Sequence, residues 1–202
     1  MKSNGREEES LYTKEILEFA AIGVQCASLM EQARDKAEFV EQTTKLLPQL
    51  YLVTLRLPAY FFYSPESDYI EEHITEEAYE IVRQRLASLL GEEDAYLSAQ
   101  SQEMAYSDTP IAAFISEGLA DVYQHVGNLL GILRDQNEEA LLPAVGRCRY
   151  YFFEYWGQTL LESLTALHHI YTLQLQAQDD DEDEHQTFEE EGDEDSTYEG
   201  IY

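Results

Sequence analysis

The chain has 202 residues and a formal net charge of −29, from 41 acidic and 12 basic side chains. A chain this negative excludes nucleic acid as a partner, because nothing in it could neutralise a row of phosphates. Its length and its 44% content of hydrophobic residues suit one domain with its own core.

The charge is uneven. Residues 179–202 hold 13 of the acids and no Lys or Arg, which leaves −16 on residues 1–178. Any charged protein partner is therefore expected to be basic. Cys26 and Cys148 sit in apolar helical patterns without close-set metal spacing, as buried reduced thiols do. The first residues, Met1 to Glu7, are polar where a signal peptide needs an apolar stretch, and no window reaches the ~20 apolar residues of a membrane span. A cytoplasmic protein without membrane contact is the expectation.

Apolar residues recur at threes and fours almost throughout, and alternation at twos is nearly absent, so helices are predicted and strands are not. The first helix covers about Ser10 to Met30, on Ile16, Phe19, Ala20, Gly23, Ala27 and Met30. The second covers about Asp35 to Leu57, with Pro48 inside it and a kink or break expected near Thr44. The third starts from the cap Thr75 and stops at Gly91, on Ala78, Ile81, Val82, Leu86 and Leu89. Thr109-Pro110 predicts the start of the fourth, which runs on Ile115, Leu119, Val122, Val126, Leu129 and Leu133. The fifth runs from about Asn137 to Gln176, with Pro143 early enough to be tolerated with a bend. Five long helices make an all-α, antiparallel bundle over residues 1–178.

Two connections are long for a bundle, residues 58–74 and 91–108, and short helical turns packed on the rim are expected in both. Glycines at the helical positions 23, 118, 127, 131 and 157 cost about 1 kcal/mol each against alanine, which predicts close helix–helix crossings there. From Asp179 to Tyr202 the composition becomes that of a disordered acidic tail, with Phe188, Tyr198, Ile201 and Tyr202 as apolar handles.

Several strings are more particular than generic helix. They are Leu46-Leu47-Pro48-Gln49-Leu50-Tyr51 with Leu57-Pro58, then Ser116 through Gln124, then Trp156-Gly157-Gln158 followed by Leu164, Leu167 and His168. In this order they resemble a bacterial family known as domain of unknown function 5063, over roughly residues 10–175. The resemblance implies an all-helical cytoplasmic domain of this length. It brings no activity, cofactor or catalytic residue.

The chemistry has to be read from constellations. Glu-x-x-His, which a di-metal bundle needs on two helices, does not occur within residues 1–178. Acidic pairs such as Glu15/Glu18, Glu38/Glu41 and Glu77/Glu80 occur about as often as this composition produces by chance. Glu117, Asp121 and His125 are spaced by four along one helical face and could bind a divalent metal or form an acid–base pair. Such a site would need a further ligand, and His168 or His169 on the last helix are the aligned candidates. There is no Gly-x-Ser-x-Gly elbow and no phosphate-binding glycine loop.

Aromatics cluster at Tyr60-Phe61-Phe62-Tyr63 and from Tyr150 to Trp156, and two of the few cations, Arg147 and Arg149, precede the second cluster. Consecutive aromatics on a helix cannot all face one core, and Tyr, Trp and Arg together are the composition of protein-binding hot spots. The reading is a protein-interaction module without a predicted cofactor, its surface formed by Arg147, Arg149, Tyr151, Tyr155 and Trp156 and by the acidic tail. The alternative is a metal-dependent hydrolase of the helical nucleotide pyrophosphohydrolase type, centred on Glu117, Asp121 and His125.

Overall fold

A computed structural model describes residues 11–59, 63–65, 69–98 and 111–191, with side chains as far as 178. Its helices are α1 (Lys14–Gln32), α2 (Lys36–Leu55), α3 (Glu76–Leu90), α4 (Ile115–Arg134), α5 (Glu138–Tyr151) and α6 (Gly157–Glu191). Two short strands, β1 (Ala95–Ser98) and β2 (Ile111–Phe114), pair antiparallel with Ala95 opposite Phe114. The fold is the expected all-α bundle.

Local signals set most helix starts. Thr13, Asp35, Thr75 and Asn137 each accept a bond from a backbone N–H three residues on, which satisfies a donor that the first turn leaves free. Gly91, at φ 63°, ends α3 in a conformation that costs glycine little. α2 passes through Pro48 without interruption, so the expected break is not there. The predicted fifth helix is α5 and α6 joined through a π-helical turn, Phe152–Trp156. α6 continues to Glu191, into the acidic segment that begins at Asp179, and residues 192–202 lie outside the described residues.

The start of α4 differs from expectation. Thr109 and Pro110 lie outside the described residues, and residues 111–114 are strand rather than helix. The buried Asp94 carboxylate accepts from both the Ser116 backbone N–H and the Ser116 hydroxyl, at 2.7 Å each. An acidic cap supplied from 22 residues upstream replaces the local one. The second long connection does open with a short helical turn, Gly91–Asp94, before it becomes β1.

Helices α1 and α2 form a hairpin that packs across α4 and α6, while α3 and α5 lie against α4. Phe19, Phe39, Leu47, Leu119, Leu129 and Trp156 are wholly buried between these elements. Ile81, assigned to the core side of α3 by its spacing, is exposed, and Val82, Leu86 and Leu90 carry the contact instead. Cys26 and Cys148 are buried free thiols, each pushed up to about 12 by burial, so neither is a nucleophile at neutral pH.

Among the described residues of the 58–74 connection none is helical, against expectation. Residues 70–74 form a strap across α4. Its backbone groups find side chains instead of an i→i−4 partner. Asn128 Oδ1 accepts from the N–H groups of His73 (2.7 Å) and Ile74 (2.8 Å). The Arg147 guanidinium donates to the carbonyls of Ile70 (2.9 Å) and Glu71 (3.3 Å). Gly127 and Gly131 make room for the strap, since a Cβ on either would strike Ile74 or His73. Gly23 and Gly118 do mark close helix crossings, against Val126 of α4 and Ser163 of α6, and Gly157 faces Phe152 inside the π turn.

Candidate functional site

The face of α4 that bears Glu117, Asp121 and His125 meets the aromatic end of α5 and the π turn. The two constellations found separately in the sequence are thus one place. Asp121 accepts from the hydroxyls of Tyr79 (3.0 Å), from α3, and Tyr155, from the π turn. Burial pushes the Asp121 carboxyl up, and its two phenol donors pull it back down. The same contacts raise both tyrosines, burial most of all, so both phenols stay protonated as donors. Glu117, one turn earlier, is exposed, and its charge adds to the rise at Tyr79 and Tyr155.

His125 does not face Asp121. Its ring lies near-parallel to the indole of Trp156 (centroids 6.3 Å apart, 15° between planes) and 5.2 Å from the ring of Tyr151. Burial, with the Arg147 charge nearby, pushes His125 down to about 4, so the imidazole is neutral at physiological pH. Among the described residues no three His, Cys, Asp or Glu side chains gather to hold a metal ion. His168 and His169 are exposed on α6, and His168 lies about 18 Å further along the helix than Trp156, too far to join His125.

The five residues read as a partner surface divide. Trp156 is wholly buried and donates its indole N–H to the Cys148 carbonyl at 3.1 Å. Tyr151 packs inward against Tyr63 and His125. Arg147 is occupied by the strap, and Arg149 donates to the Leu57 carbonyl (3.3 Å) while its guanidinium covers the ring of Phe153. Arg147 thus ties the strap to α5, and Arg149 ties the end of the α2 segment to it. Tyr155 alone of the five is largely exposed. Tyr60, Phe61 and Phe62 lie outside the described residues.

Beside Asp121 an open cleft of about 450 Å³ runs between the strap, the start of α3 and α4. Glu72, Glu76, Tyr79, Asp121 and Gln124 line it together with Ile74 and Thr75, and none of these is basic. Sequence reasoning missed Tyr79, Glu72 and Glu76. Tyr79 stands three residues before Val82 in the α3 stripe, a polar-tipped aromatic at the edge of an apolar face, and that was its available signal. A carboxylate has about four lone-pair sites, so two phenol donors leave Asp121 able to accept from a ligand in the cleft. Three carboxylates and a phenol ring line the cleft, a composition that can attract a cation.

The protein is a helical bundle with an acidic cleft between α3, α4 and the strap. The chain belongs to the family described as Domain of unknown function (DUF5063), whose model matches residues 10–172. It is similar in structure to protein BF1032 from Bacteroides fragilis, a structural genomics target solved as a crystal structure. That likeness has a TM-score of 0.66 and 29% sequence identity, and it covers 80% of this chain and 95% of the other. No curated protein matches the chain. Among the described residues no helix is long and apolar enough to cross a membrane.

Proposed function

We propose that the protein is an interaction module that captures a basic segment of a protein partner in the cleft beside Asp121. The observation that carries this reading is the cleft lining, in which Glu72, Glu76 and Asp121 meet Tyr79 with no basic residue among them. A lysine or arginine side chain entering there would gain charge-assisted bonds from the carboxylates and a cation–π contact from the phenol ring. The long-range field of a chain at −29 would draw basic segments in and repel acidic ones.

The alternative, a metal-dependent hydrolase of the nucleotide pyrophosphohydrolase type, has less to draw on. Its proposed ligands are Glu117, Asp121 and His125, of which Asp121 takes two phenol donors and His125 stacks among aromatic rings. No cofactor is part of the proposed function.

The test is fluorescence anisotropy with a labelled arginine- and lysine-rich peptide, on the full chain and on two double variants of equal charge. Glu76→Gln/Asp121→Asn should weaken binding by at least about 10-fold, as the loss of a charge-assisted contact requires. Glu138→Gln/Glu139→Gln, at the exposed start of α5, should leave it within about 2-fold. Equal losses in the two variants would reduce the binding to overall charge and overturn the cleft. A saturable rise in melting temperature with Mg²⁺ or Mn²⁺ that Asp121→Asn abolishes would favour the hydrolase instead.

A further inference from the structure

The outer face of the α1–α2 hairpin is unlike the rest of the molecule. Residues 11–59 hold five of the chain's 12 basic side chains, Lys14, Arg34, Lys36, Lys45 and Arg56, against six acidic ones. That segment is near neutral in a chain of net charge −29. Lys14 pairs with Glu18, Arg56 with Glu18, and Lys45 with Glu41 inside it, while Lys36 pairs outside it, with Glu93. Between the pairs the surface is apolar or uncharged. Leu17 and Val24 of α1 and Leu52 and Leu55 of α2 are all between 40% and 56% exposed. Two hollows, of about 600 Å³ and 320 Å³, follow the seam between the helices from its turn at Arg34 to the Glu18–Arg56 end.

We infer that this face is the contact between two copies of the chain, packed seam to seam about a two-fold axis. Charge selects the occupant. Two copies approaching through most other faces bring acid against acid, whereas here each presents balanced pairs at the rim and leucine and valine at the centre. The size is sufficient. Helices of 19 and 20 residues lying side by side offer about 28 Å by 20 Å, or a little over 1,000 Å² for the two copies together. That reaches the area which separates stable interfaces from chance contacts. The buried face of the same hairpin already packs on α4 and α6, so a second copy would make α1 and α2 the inner layer of a four-layer assembly. The acidic C-terminal segment is the weaker occupant, since Lys14, Lys45 and Arg56 already have carboxylate partners within reach.

Sedimentation equilibrium on the full chain tests this. The wild type should approach twice its 23.3 kDa mass as concentration rises, and more readily at higher salt, which screens the remaining acidic repulsion. Val24→Glu/Leu52→Glu should weaken association by at least about 100-fold, because two-fold symmetry buries four new carboxylates. Both positions are exposed, so the variant should keep the wild-type helical circular dichroism and melting temperature when measured as monomer. Leu97→Glu, on the exposed side of β1, should leave association unchanged. A wild type that stays at 23.3 kDa at every concentration overturns the inference. So does a dimer that survives Val24→Glu/Leu52→Glu, or one that Leu97→Glu dissociates.

Discussion

The imidazole of His125 lies 15° from the plane of the Trp156 indole, with the ring centroids 6.3 Å apart. The folded protein holds this ring neutral, since burial pushes it down to about 4 from an ordinary 6.5. The unfolded chain protonates it below 6.5, so the stability it contributes is complete above pH 6.5 and is lost as pH falls towards about 4. The loss amounts to about 3 kcal/mol at most. His125→Phe keeps a flat ring in the stack and removes the titration. Its urea midpoint should therefore fall less than that of the wild type between about pH 7 and about pH 4.5. Trp156, the single tryptophan and wholly buried, reports unfolding by its fluorescence. Equal falls in the two proteins would refute the assignment.

Asn128 and Arg147 hold the strap from below and from the side. Asn128→Ala leaves two backbone N–H groups without an acceptor and should cost about 2 kcal/mol. The amides of His73 and Ile74 should then exchange with solvent at least about 10-fold faster, which hydrogen-exchange mass spectrometry would read. Arg147→Lys should recover only part of what Arg147→Ala loses, because an ammonium cannot span the Ile70 and Glu71 carbonyls as the planar fork does.

Gly131 supports the ring of His73, and a Cβ built there enters that ring. Gly131→Ala gains about 1 kcal/mol of helix propensity and should nonetheless be destabilising by about 2 kcal/mol, because the strap must lift. At Gly23 the nearest atom is a methyl of Val126 at 3.0 Å, a contact that a few tenths of an ångström would relieve. Gly23→Ala should therefore be close to neutral in a denaturant titration. A stabilising Gly131→Ala would show that the strap is not seated on α4.

Tyr79→Phe and Tyr155→Phe each remove one donor from Asp121. Both bonds lower the carboxyl and burial raises it, so each variant should move its titration further up, and the double variant furthest. Carboxyl carbon chemical shifts would follow this directly. Each substitution should cost about 1 kcal/mol of stability. Cation binding in the cleft should weaken in both as pH is lowered, because a protonated Asp121 no longer attracts charge.

Much of this was legible beforehand. The caps at Thr75 and Asn137 and the stop at Gly91 stand in the sequence because the bonds they make span three or four residues. α4 starts later than Thr109-Pro110 predicts because its cap, Asp94, reaches it from 22 residues away. The strap departs from the helical turns expected of it because its hydrogen-bond partners, Asn128 and Arg147, lie 54 to 77 residues distant. Asn128 did leave a trace, as the amide beside Leu129 in an otherwise apolar stretch of α4.

The helical class, the places where most helices begin, and the two groups of unusual side chains on the α4 and α5 segments are all readable from the order of residues alone. Those features depend on a repeat of 3.6 residues and on contacts within a turn. Packing alone brings the Asp121 face and the Tyr155 aromatics into one place, sets Arg147 and Arg149 against backbone carbonyls, and puts Trp156 inside. Periodicity fixes which side of a helix is apolar. Which neighbour that side meets, and at what height, follows from how the helices and the strap fill a common volume.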